Sequence, residues 1–163
     1  MATNPSTTPV SGNSNIDPLL LPAYWSDTLG SGISLTYSIP QGTAFWSNNY
    51  GDNENNTWGS LNNNQANNFR LALESWSDIA NITFTEVPDE STYGSIRIAF
   101  TTMENSTAGY AYSVNPRQES AETADIWLNK DLANESFTVG TSNYNTLLHE
   151  IGHALGLDHP FEA

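Results

Sequence analysis

The chain has three histidines, His149, His153 and His159, and all of them lie close to its C-terminal end. They form the pattern His-Glu-x-x-His-x-x-Gly-x-x-His, with Glu150 after the first histidine and Gly156 before the third. On a helix, residues at i and i+4 share one face, about 5–6 Å apart, so the first two imidazoles can reach one ion. Imidazole nitrogens at ~2.0–2.1 Å are typical zinc ligands. The spacing therefore predicts a zinc site.

The third ligand has to approach the ion from another direction, because one helix face cannot complete a tetrahedral site. Gly156 allows the helix to end and the chain to turn, since glycine tolerates a positive φ, and His159 can then swing back. Structural zinc sites are usually closed by four protein ligands, often cysteines. This chain has no cysteine and offers three histidines, so we expect an open position and a catalytic metal.

The chemistry predicted for such a site is hydrolysis of a peptide bond. Zinc lowers the pKa of bound water and polarises a carbonyl. Glu150 lies beside the ligand face but turns aside from it, which suits a general base that takes a proton from the attacking water. Two other hypotheses stay open: a zinc-binding module without turnover, and an acidic surface or adhesion domain that retains the motif as a relic.

The hydrophobic pattern predicts a mixed α/β (α+β) domain in which one long helix packs on a sheet. Alternating apolar residues predict strands at 33–40, 82–87, 95–101 and 124–131. A helical stripe formed by Phe69, Leu73, Trp76 and Ala80 predicts a core-packed helix at 67–80. The histidine motif ends a second helix at 142–156, and the segment between the last two strands is irregular.

Two polar segments have no regular period. Residues 1–18, rich in Thr, Asn, Ser and Pro, are predicted to be a flexible leader, and residues 19–163 the catalytic domain. The Asn-rich segment 47–64 is predicted to be a loop. Its Asp52 and Glu54 supply oxygen donors suited to Ca²⁺, although a solvated loop without a metal is the favoured interpretation.

The charge balance restricts the partners. Four Lys and Arg residues stand against eighteen Asp and Glu, a net charge of −14. Such a surface repels phosphate backbones and anionic lipids, so we expect neither nucleic acid nor membrane as a partner. No apolar run approaches the ~18 residues of a membrane span, and the polar N-terminus is not a signal peptide of the usual kind. We expect a monomer that acts on proteins or peptides.

The motif HEIGHALGLDHP, with Pro160 after the third histidine, resembles that of metzincin metallopeptidases, and most closely the serralysin family of secreted bacterial zinc proteases. FRLALESWSDIANITFTEV (69–87) is similar to the family's first long helix and following strand. The segments around 111–116 and at 125–129 correspond to the loop and antiparallel edge strand above the cleft. The resemblance covers roughly residues 30 to 163.

The resemblance implies a twisted mixed sheet with an antiparallel edge strand, a long packing helix and an active-site helix. It implies zinc ligands at His149, His153 and His159, and Glu150 as general base. It also implies secretion, and an edge strand that pairs with an extended substrate. That strand comprises Asp125, Ile126, Trp127, Leu128 and Asn129.

Metzincins also have a methionine turn downstream of the third histidine. The two methionines here, Met1 and Met103, both precede His159, and the sequence ends four residues after it. We therefore expect the chain to be truncated before that turn. The glycine- and aspartate-rich calcium repeats and the C-terminal export signal typical of such enzymes would lie further on.

Overall fold

A computed structural model of the protein describes residues 5–25, 28, 30–44, 46, 48, 50–90, 92–104, 106–114 and 124–160. The strands are β1 (Pro5–Thr7), β2 (Ala23–Trp25), β3 (Ile33–Ser38), β4 (Ile82–Glu86), β5 (Ile96–Thr101), β6 (Gly109–Ala111) and β7 (Ile126–Asn129). The helices are α1 (Glu54–Thr57), α2 (Asn63–Ser77) and α3 (Ser142–Leu155), with short 3-10 helices at Asp17–Leu19 and Lys130–Leu132.

The main sheet has five strands in the order β4-β3-β5-β7-β6. Neighbouring strands run parallel from β4 through β7, and β6 alone is antiparallel to its neighbour. The predicted mixed α/β architecture, with a long packing helix and a helix carrying the histidines, is confirmed. None of the helices in the described part of the chain combines the length and apolar character that crossing a membrane needs.

The centre of the sheet is buried on both faces, as expected for parallel strands covered from each side. Every residue of β5 is buried. On one face, Ile98 and Phe100 join the core formed with α2 and α3, where Phe69 and Ile151 are fully buried. On the other face, Ala99 contributes to an aromatic cluster, whose members are Tyr50, Trp127, Trp46, Trp58, Met103, Tyr110 and Tyr112.

Helix α2 begins earlier than the predicted residue 67 because a capping box starts it. The side chain of Asn62 accepts from the Gln65 amide at 3.0 Å, and the Gln65 side chain accepts from the Asn62 amide at 2.9 Å. These reciprocal bonds satisfy two of the amides that a helix start leaves without partners. The prediction of a loop over 47–64 was therefore wrong at two places: residues 63–64 belong to α2, and residues 54–57 form α1.

The prediction that residues 125–129 form the edge strand was wrong. β7 lies inside the sheet, parallel to β5 and antiparallel to β6, so both of its edges are already paired. The side chains of residues 125–129 are buried as well, with at most 7% of any residue's surface exposed. The antiparallel edge strand is β6, which has only three residues and falls in the segment predicted to be irregular. Residues 115–123 of that segment lie outside the described residues.

The described part of the predicted leader forms structure of its own. β1 pairs antiparallel with β2, and the amide of Thr8 donates to the carbonyl of Pro22 at 2.9 Å. The 3-10 helix at Asp17–Leu19 leads into an antiparallel bridge between Leu20 and Leu157. The N-terminal segment therefore contacts the residues that follow α3. The domain boundary at residue 19 stays a prediction.

Candidate metal centre

Helix α3 separates a packing face from a ligand face. It begins at a cap in which the Thr141 hydroxyl accepts from the Tyr144 amide at 3.2 Å. Leu147, Ile151 and Ala154 are buried in the core, with at most 1% of their surface exposed. The face that carries His149 and His153 remains partly open to solvent. Burial of one stripe thus fixes the rotation of the helix and presents the other stripe to the cleft.

Gly156 ends the helix as predicted. It has φ 108°, a left-handed conformation that suits glycine. Its amide donates to the His153 carbonyl at 3.0 Å, and the Leu157 amide donates to the Gly152 carbonyl at 2.9 Å. This pair of bonds is a Schellman motif, which satisfies two of the carbonyls that the last turn leaves free. The chain then turns back and brings His159 to the ligand face.

The three histidines converge as the sequence predicted. The Nε2 atoms of His149, His153 and His159 are separated by 3.0 Å in all three pairs. Nitrogen ligands that share one ion at ~2.0–2.1 Å lie ~3 Å apart, so these separations fit a common metal ion. Across the described part of the chain, these three residues are the group whose donor atoms are close enough to hold one.

The protonation of these rings also suits a metal. The Nδ1 atom of His153 lies 2.7 Å from the carbonyl oxygen of Leu157. Because a carbonyl only accepts, Nδ1 is the donor in this contact, and in the neutral imidazole Nε2 is then the nitrogen that can bind a metal. Burial, together with the neighbouring charges of His153 and His159, lowers the pKa of His149. A lowered pKa favours the neutral imidazole that binds metal.

Glu150 lies in the same cleft but does not belong to the group of converging ligands. Only 4% of its surface is exposed. Burial raises the pKa of Glu150 to about 7, with the charge of His159 opposing the rise. A carboxyl group with a pKa near neutrality can both accept and release a proton, which is what a general base for hydrolysis has to do.

The cleft has a volume of about 250 Å³ and extends from the histidines to strand β6. It is lined by Leu21, Gly109, Tyr110, Ala111, Ser113, His149, Glu150, His153, Asp158 and His159. Sequence reasoning missed the contributions of β6 and Leu21. The alternation in Gly109–Ala111 is too short to stand out as a strand pattern, and nothing in the local sequence places Leu21 beside a helix more than a hundred residues away.

None of residues 125–129, predicted to bind substrate, lines this cleft. Asp125 instead forms a buried ion pair, accepting from Arg97 Nε at 3.0 Å and Nη2 at 2.6 Å, and also accepts from the Tyr50 hydroxyl. Its carboxylate therefore lies within the fold, on the aromatic side of the sheet.

Glu54 is not the solvated loop carboxylate that the sequence suggested, because it is fully buried. It accepts from the hydroxyls of Tyr110 at 2.8 Å and Tyr112 at 2.5 Å, and from the Asp52 amide at 2.9 Å. Burial acts to raise the pKa of Glu54, but these hydrogen bonds outweigh it and the pKa is lowered. Calcium binding by this segment stays a prediction.

The fold and the histidine site together define a metzincin-type catalytic domain. The family model for peptidase M10, described as matrixin, matches residues 50–163. The chain is 34% identical over 148 residues to the metalloprotease AprA of Pseudomonas entomophila, with 85% of this chain and 28% of the relative covered. It is 37% identical to a serralysin of a Photorhabdus species, with 61% and 21% covered, and 39% identical to serralysin A of Dickeya chrysanthemi, with 56% and 20% covered.

The chain therefore belongs to the matrixin peptidase family, with a serralysin-like catalytic domain. It spans little more than a quarter of the length of AprA, and about a fifth of the two serralysins. The structure and the family agree on the metal-binding character of the site.

Proposed function

We propose that this domain is a zinc-dependent endopeptidase. The observation that supports it most directly is the convergence of three histidine Nε2 atoms, 3.0 Å apart, in a cleft that also contains the buried carboxyl group of Glu150. His149, His153 and His159 would hold the ion. When bound, zinc supplies a Lewis acid and lowers the pKa of the water it binds.

Glu150 acts as the general base. Its carboxylate accepts a proton from the attacking water and delivers that proton to the amine that leaves when the peptide bond breaks. Burial raises the pKa of Glu150 to about 7, so this carboxyl group binds a proton more readily than an exposed glutamate does.

Strand β6 replaces β7 as the strand that binds the substrate backbone. It pairs with β7 along one edge and has no further strand neighbour among the described residues. Its residues also line the cleft. An extended peptide that adds to this edge would place its backbone carbonyl groups beside the histidines and Glu150. We further propose that the domain acts outside the cell on proteins or peptides, as a monomer.

The test is hydrolysis of an unfolded protein by the zinc-loaded chain and by two variants. Glu150→Gln is expected to lower turnover by at least about 100-fold, in line with the loss of a general base, while zinc content stays at one per chain. Glu74→Gln is the matched control, because Glu74 is an exposed residue of α2. If the chains bind zinc but none shows turnover that depends on Glu150, the result would support the alternative, a metal-binding module that does not cleave peptides.

A further inference from the structure

The geometry of the metal site depends on the turn at 156–158, which follows α3. The Leu157 carbonyl orients the imidazole of His153 through the 2.7 Å contact with Nδ1. The next residue, Asp158, accepts from the amide of His159 at 2.8 Å. This one turn therefore contacts two of the three ligands, the imidazole of His153 and the backbone of His159.

The turn is held by a segment from the opposite end of the sequence. The amide of Leu21 donates to the Gly156 carbonyl, and the amide of Asp158 donates to the Leu19 carbonyl, each at 2.9 Å. Between these two bonds, Leu20 and Leu157 form the antiparallel bridge. Beyond Gly156 the chain has left the helix, so these backbone groups depend on partners from outside it.

The same segment also holds the last turn of α3. The indole N–H of Trp25 donates to the carbonyl of Ala154 at 2.7 Å, and only 8% of the Trp25 surface is exposed. The Ala154 carbonyl is one of the last four of the helix, which have no partner within it. A Cβ atom at Gly156 would come within 2.9 Å of the Ala23 carbonyl oxygen, so strand β2 lies directly against the helix end.

We propose that residues 19–25 are a metal-positioning segment, with Trp25 as its main positioning residue. The segment preorganises the turn and thereby the orientation of His153 and His159, so that less ordering is needed when the ion binds. This inference rests on the metal site of the proposed function but not on peptide cleavage. Groups that orient metal ligands typically contribute 10–100-fold to metal affinity.

The first test is the zinc affinity of the full chain, measured by competition with a chromogenic chelator. Trp25→Phe removes the indole donor, and we expect its zinc affinity to fall about tenfold, at the lower end of that range. Trp46→Phe is the matched control, because the buried Trp46 indole N–H has no hydrogen-bond partner among the described residues. The Trp46 ring lies in the aromatic cluster on the other face of the sheet. We expect its affinity to stay within about twofold of the unsubstituted chain.

A weakened fold alone would not reproduce this pattern. Unfolding of both metal-free variants by urea shows how far each is destabilised, and the visible absorption of bound Co²⁺ reports the coordination geometry. We expect Trp25→Phe, and not Trp46→Phe, to change the cobalt spectrum. Equal affinities and equal spectra in the two variants would overturn the proposal.

A second test needs no substitution. If residues 19–25 favour metal binding, metal binding must stabilise residues 19–25 to the same extent, because coupling free energies are reciprocal. Zinc loading should therefore slow hydrogen exchange at the Leu21 amide more than at the Ile33 amide, which bonds to Asn81 in the β3–β4 pair. Equal slowing at both amides would contradict the proposal.

The outcomes separate this inference from the proposed function. Tenfold weaker zinc binding in Trp25→Phe, together with no peptide cleavage by any chain, would support the positioning segment and remove the endopeptidase. Cleavage that depends on Glu150, together with unchanged zinc affinity in Trp25→Phe, would support the endopeptidase and overturn the positioning segment. A chain that binds no zinc at all would overturn both.

Discussion

Glu54 and Tyr110 are 56 residues apart in the sequence, and the Tyr110 hydroxyl donates to the buried Glu54 carboxylate at 2.8 Å. Tyr112 donates to the same carboxylate oxygen at 2.5 Å. Both tyrosines belong to the edge-strand region and pack against the aromatic cluster of Tyr50 and Trp127. A single carboxylate in α1 therefore holds the edge-strand region beside the cleft in place through two hydrogen bonds.

This relationship predicts a pH-dependent effect of Glu54→Gln on stability. The pKa of Glu54 is lowered in the fold, so its contribution is present above its unfolded pKa of ~4.3 and is lost as the pH falls through the folded pKa. We expect the variant to lose about 1–3 kcal/mol of unfolding free energy at pH 7, the range for a buried acceptor with broken hydrogen bonds. Urea unfolding at several pH values measures this loss.

The difference between the two chains should shrink as the pH falls below the unfolded pKa of ~4.3, because the unfolded chain then takes up a proton that the folded Glu54 carboxylate does not yet bind. The two tyrosines predict a second loss of stability, at high pH. Burial and the Glu54 carboxylate raise the pKa of Tyr110 and Tyr112. Their contribution is present below pH ~10 and is lost as the pH rises further. A difference that stays constant from pH 3 to 7 would contradict the assignment.

Gly109→Ala is predicted to impair turnover without affecting metal binding. An added Cβ would lie 2.9 Å from the Trp127 carbonyl oxygen and 3.4 Å from Cγ of Glu150. The strand or the glutamate has to shift, and a displacement near 1 Å at a reacting group costs on the order of 100-fold in rate. The measurement is kcat/KM beside zinc affinity. Gly51→Ala is the control, since its Cβ would meet no atom of the described residues within 4 Å apart from its chain neighbours.

Asp125 is predicted to act in stability rather than in substrate binding. Asp125→Asn would remove the carboxylate that forms an ion pair with the fully buried guanidinium of Arg97. Breaking one side of a buried pair costs about 3–5 kcal/mol. Arg70→Met is the contrast, because the Arg70–Glu86 pair is exposed and exposed pairs contribute roughly 0–1 kcal/mol.

Unfolding by urea gives both losses, and kinetics on the folded fraction give KM. If Asp125→Asn left stability unchanged and raised KM, the prediction that residues 125–129 bind the substrate would be restored.

Zinc is predicted to stabilise the fold through the three histidines alone. At a free concentration of roughly 1,000 times the Kd, it should raise the unfolding free energy by about 4 kcal/mol. His159→Ala should lose most of that gain, because it removes one of the three converging nitrogens. Magnesium, which prefers oxygen ligands, serves as the control. Equal stabilisation of both chains by zinc would place the ion elsewhere on the acidic surface.

Much of the site could be predicted because its information is local. His149 and His153 are one helical turn apart, Gly156 can end a helix, and His159 follows within reach, so short-range geometry brings the three rings together. The strands β3, β4 and β5 and the core-facing residues of α2 follow from the same kind of periodicity. The Asn62–Gln65 capping box is also a local sequence pattern, but it lies in an Asn-rich segment in which several asparagines could cap a helix.

What the sequence by itself determined is therefore the metal-binding motif, the elements that carry it and the mixed α/β class. The tertiary structure alone decided which strand lies at the edge, because pairing of β7 with both β5 and β6 is a long-range choice that no local pattern encodes. It alone placed Trp25 against Ala154 and Glu54 against Tyr110, contacts between residues far apart in the chain. Hydrogen-bond partners of buried polar groups are settled by packing, and packing exists only once the chain has folded.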